Sequence, residues 1–76
     1  MKAGKRYKGY VLEAMIHELR DAPGFTADLF IEKHCGDGIA VQHFHMPRTF
    51  DSYESAAWTA VLTGQDMIDK GYTLTV

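Results

Sequence analysis

The stretch "FTADLFIEKHCGDGIAVQHFHMP", residues 25 to 47, leaves the chain few options. Two alternating segments flank Cys35-Gly36-Asp37-Gly38, whose glycines accept the backbone angles of a tight hairpin turn. Pro47 has no N–H to give to a ladder and closes the second segment. The reading is a β-hairpin, residues 25–34 antiparallel to 39–46. Pairing His34 with Ile39 fixes every other pair. One face sets Ala27 opposite Met46, Leu29 opposite Phe44 and Ile31 opposite Gln42; the other sets Asp28 opposite His45, Phe30 opposite His43 and Glu32 opposite Val41. The first face is mainly apolar and belongs against a core. A slip of one residue would turn it to water, so the hydrophobic pattern itself selects the register.

Upstream, residues 6–19 read as strand one. Tyr10, Leu12, Ala14 and Ile16 alternate with Val11, Glu13, Met15 and His17. Arg20 to Gly24 carry Asp, Pro and Gly, which is turn chemistry. Downstream, a helix is predicted over residues 52–70. Asp51 is the candidate N-cap, with Glu54 three residues on completing a capping box; Ser52 is the alternative cap. Ala57, Val61, Gly64 and Ile68 lie along one stripe, widened by Trp58, Ala60 and Met67. Gly64 inside a helix costs about 1 kcal/mol against alanine, which a close approach of helix to sheet would explain. Lys70 and Gly71 suit the helix end. Residues 72–76, Tyr-Thr-Leu-Thr-Val, are candidates for a short extra edge strand.

The fold class is therefore α+β: a three-stranded antiparallel meander in the order β-β-β-α, with one C-terminal helix packed on one face. The 76 residues make one domain, 1–76, with residues 1–5 expected as a flexible basic arm. A composition of 46% hydrophobic and 24% charged residues excludes disorder as the expectation. A single cysteine excludes an internal disulfide framework. No signal-peptide pattern and no apolar run near the ~20 residues of a membrane span is found, so the expected location is cytoplasmic.

Net charge is −2, unevenly spread. Lys2, Lys5, Arg6 and Lys8 are half of the eight basic residues, and the rest of the chain is acidic. These four are the candidates for a nucleic-acid contact by the arm and sheet. A broad basic face, the usual footprint of such a domain, is missing.

The uncovered sheet face carries the remaining chemistry. Two histidines one residue apart on a strand point the same way, about 7 Å apart. His43 and His45, with Asp28 across the hairpin, are thus candidate metal ligands. Zinc needs about four ligands, and this set is incomplete; an Asp–His cross-strand pair is also ordinary sheet stabilisation. Phe30, Glu32, Val41, His43 and His45 are the candidate binding residues of the face, and Val11 and Met15 extend its apolar part. His17 and Glu13 join it in a meander. No cofactor is expected. Ser52 and Ser55 have no paired base. Cys35 and His34 are neighbours on a strand and point to opposite faces, and so small a chain walls off no deep pocket, so the expectation is a non-enzyme.

Tyr7 to Tyr10 (Tyr-Lys-Gly-Tyr), Thr49 to Ser52 at the helix entry, and Gly64 with Ile68 and Asp69 resemble the pattern of a loose group of small uncharacterised proteobacterial proteins. That resemblance implies the β-β-β-α fold and a bacterial origin and carries no activity. The outline is also similar to AP2 and integrase N-terminal domains, which lay a three-stranded sheet in the DNA major groove with arginines on the open face. Here Asp28, Glu32 and histidines stand in their place. The expected function is a small binding or interaction module acting through the open face or through self-association. Its partner would be another protein or a second copy, with nucleic-acid binding and metal binding as alternatives and no membrane association.

Overall fold

The computed structural model describes residues 2–71. Four strands, β1 (Lys2–Tyr7), β2 (Tyr10–Glu18), β3 (Phe25–Cys35) and β4 (Gly38–His45), precede one helix, α1 (Tyr53–Asp69). The sheet is antiparallel throughout, in the order β1-β2-β3-β4. The α+β class stands, and the strand count is corrected from three to four. The extra edge strand predicted for residues 72–76 lies outside the described residues.

Strand one divides in two. Tyr7 pairs with Tyr10 across a two-residue turn, Lys8-Gly9, and both turn residues have positive φ, 49° and 86°. Such turns match the twist of the strands they join. The expected flexible arm is thus an edge strand, with Lys2 opposite Met15 and Arg6 opposite Val11. Side chains fasten it to the helix at both ends. Tyr53 O–H donates to the Lys2 carbonyl at 3.2 Å, and Tyr7 O–H donates to the Asp69 carboxylate at 2.8 Å.

The hairpin register is the one the alternation selects. Asp28 faces His45, Phe30 faces His43, Glu32 faces Val41 and His34 faces Ile39. Beyond the last pair, Met46 N–H still donates to the Ala27 carbonyl at 3.0 Å. Phe50 then returns to pair with Phe25, exchanging two backbone bonds of 2.8 Å, and closes the core at that end. Nothing in the spacing of residues 47–52 announces that bridge.

The core lies between the sheet and α1. Leu12, Ala14, Ile16, Ala27, Leu29 and Ile31 meet Ala56, Ala60 and Val61. Ser52 caps the helix, its Oγ accepting from Ser55 N–H at 3.0 Å, so the cap is the alternative residue and not Asp51. The helix starts at Tyr53, which makes Ser55 and not Glu54 the third helical residue. The buried stripe is Ala56, Ala60, Val61 and Gly64. Trp58 sits two residues from Ala56, roughly 200° around the helix, and is 65% exposed, so it does not widen the stripe as expected. The helix rests on β2 and β3 and reaches β1. Of the residues of β4, only Ala40 and Phe44 are half-buried; the others are exposed.

Candidate functional site

The uncovered face is built by the residues of odd parity on β3's neighbours and even parity on β3 itself. β2 contributes Val11, Glu13, Met15 and His17; β3 contributes Asp28, Phe30, Glu32 and His34; β4 contributes Ile39, Val41, His43 and His45. All five residues expected to line a binding face share it. Ile39, at 56% exposed, and Val41, at 55%, form its most open apolar part. Ile39 was not among the expected lining residues, although its parity with Val41 places it there.

Asp28 organises the polar part. His43 Nε2–H donates to Asp28 Oδ1 at 2.8 Å, and His45 Nδ1–H donates to the same oxygen at 2.9 Å. His17 Nε2 lies 3.5 Å from Oδ2. Partial burial pushes the Asp28 carboxyl up, but the bonds from His43 and His45 and the attraction of those rings outweigh it and hold it below its ordinary value. The carboxylate fixes which nitrogen of each ring carries the proton. His43 also stacks on Phe30, with ring centroids 4.7 Å apart and planes 11° from parallel. Sequence reasoning placed His17 on this face but not beside Asp28; the β2–β3 register, with Met15 opposite Asp28 and His17 opposite Thr26, brings it there.

Among the described residues no group of three or more His, Cys, Asp or Glu side chains is arranged to hold a metal ion. The His43, His45 and Asp28 set is a carboxylate-centred cluster in this structure. Cys35 ends β3 opposite Gly38.

The four basic residues do not form one surface. Lys2 and Arg6 fall on the open face, Lys5 on the helix side and Lys8 in the turn. Lys2 lies 3.7 Å from Glu13, and Lys8 donates to Asp69 at 2.7 Å. The hydrogen bond to Asp69 raises the Lys8 pKa, and the bonds from Lys8 and then Tyr7 lower that of Asp69. A shallow pocket of about 400 Å³ at this turn is lined by Arg6, Tyr7, Lys8, Gly9, Tyr10, Val11 and His34.

No family model, curated protein or solved structure matches the chain. No helix among the described residues is long and apolar enough to cross a membrane.

Asp28 gathers His43 and His45 at an open surface, and Ile39 and Val41 lie on β4, the outermost strand among the described residues. A strand at a sheet edge presents backbone N–H and C=O groups to any chain that can continue the sheet.

Proposed function

We propose that this protein is a small non-enzymatic interaction module that binds another polypeptide along β4 and the adjoining open face. One observation carries this reading: β4 ends the sheet of the described residues with no Lys, Arg, Asp or Glu among its eight residues, and Ile39 and Val41 are more than half exposed on it. Natural sheet edges are commonly blunted by lysine, proline or bulges. β1 follows that habit with Lys2, Lys5 and Arg6; β4 does not. An added strand would gain main-chain hydrogen bonds from β4, with Ile39 and Val41 supplying apolar contact. Asp28 holds His43 and His45 in fixed orientations beside that contact, which lowers the ordering cost of binding.

A photo-crosslinking residue at Val41, compared with one at Thr59 on the helix, tests the location in the cell of origin. Adducts concentrated at position 41, to any polypeptide, support the reading. Equal labelling at both positions contradicts it.

A further inference from the structure

Among the described residues β4 ends the sheet, and its outer edge has a geometry that selects its occupant. Cys35 pairs with Gly38 across the turn, and Met46 N–H donates to Ala27. Antiparallel ladders alternate between bonded and non-bonded pairs, so Gly38, Ala40, Gln42 and Phe44 turn their backbone groups toward β3. Ile39, Val41, His43 and His45 turn theirs outward, and the same four place their side chains on the open face.

We propose that the occupant is a second copy of this chain, joined β4 to β4 antiparallel about a two-fold axis at Gln42; this rests on the reading of β4 as the docking edge. About that axis Ile39 meets the partner's His45, and Val41 meets the partner's His43. Every outward-facing residue meets an outward-facing residue, for roughly eight N–H···O bonds. Moving the axis to Val41 or His43 pushes one of the outward residues beyond the partner strand. The charges agree with this pairing. A strand without Lys, Arg, Asp or Glu is best complemented by another such strand, whereas β1 would bring Lys2, Lys5 and Arg6 against its own copy. The axis stands perpendicular to the sheet. Both helices lie on one side, and the two open faces become one surface across eight strands, four from each copy. Such a two-fold contact closes, whereas β4 against β1 of a neighbour is head-to-tail and does not.

Residues facing each other in a non-bonded antiparallel pair stand about 4.5 Å apart at Cα, within the range a disulfide spans. The test is sedimentation equilibrium of the full chain over a concentration series, with oxidation of Gln42→Cys in a Cys35→Ser background. The expected result is a closed dimer, and a disulfide at position 42 that a Thr59→Cys control does not form. Should the cysteine variant fail to fold, Val41→Lys in the otherwise native chain is expected to weaken the dimer about tenfold or more with a native amide spectrum. A monomer at all concentrations overturns the inference. If Val41 still crosslinks to a different polypeptide, the docking edge survives and only the second copy is lost. Species that keep growing with concentration overturn the two-fold in favour of β4 against β1.

Discussion

Gly64 faces Leu12 so closely that a Cβ built on the glycine would stand 2.9 Å from Leu12 Cδ2 and 3.2 Å from Cδ1. Leu12 is fully buried, and its side chain must shift to admit a Cβ there. The contact sets how near the helix lies to β2, and so how completely the core face is sealed. Two effects oppose each other in Gly64→Ala. Helix preference favours alanine by up to about 1 kcal/mol, and overpacking a tight core costs about 1–3 kcal/mol. The second wins, and the variant is expected to lose about 1 kcal/mol in urea denaturation. An unchanged or higher midpoint would show that Leu12 moves aside.

Gly9→Ala tests a different cost. A Cβ at Gly9 meets nothing within 4 Å, so the substitution adds only backbone strain at φ 86°. The expected loss is about 1 kcal/mol, with the Lys8–Asp69 pair intact. Urea denaturation gives the magnitude, and the Tyr7 and Asp69 resonances report whether the turn is still closed.

Trp58 stands on the outer face of the helix and contributes little to the core. Trp58→Ala is expected to change stability by less than about 0.5 kcal/mol. In the native chain its fluorescence is expected to be quenched by acrylamide nearly as readily as that of the unfolded protein. Strong protection from quenching would place it in an interface.

Much of the fold was legible because alternation and turn chemistry agreed. The β3–β4 register follows from Leu29, Ile31 and Phe44 needing one face and from a two-residue turn at Gly36-Asp37. The first hairpin was not legible. Lys8 is a non-glycine residue with positive φ, and a Lys-Gly turn is a weaker signal than Asn-Gly or Asp-Gly. Tyr7 and Tyr10, three residues apart, would take opposite faces of a continuing strand and share one only because the chain turns between them. Its stabilising partner, Asp69, lies 61 residues from Lys8 and leaves no local trace. Likewise, the pairing of His43 and His45 with Asp28 follows from one hairpin, whereas the approach of His17 needs a second register. The exposure of Trp58 followed only once Ala56 was known to face the sheet.

The histidine cluster gives a pH-dependent expectation. The folded-state pKa of Asp28 is depressed below the ordinary 3.8, so its contribution is present above that value. It is lost as pH falls through the depressed folded value. Asp28→Asn is expected to cost about 1 kcal/mol at neutral pH, the scale of a charge-assisted bond at a half-open site. The difference from the native chain should shrink as the pH falls below 3.8 and vanish once it has passed the depressed folded value. A difference that stays constant with pH would contradict the role of the carboxylate charge.

In the proposed dimer the outward backbone groups of β4 meet those of the second copy. Amide hydrogen exchange measured residue by residue, at low and at high protein concentration, tests it most directly. Ala40, Gln42 and Phe44 are bonded to β3 and should be protected at both. Ile39, Val41, His43 and His45 should exchange freely when dilute and become protected when concentrated. If those four amides still exchange freely at millimolar concentration, where even a weak dimer forms, the pairing of β4 with its own copy is contradicted.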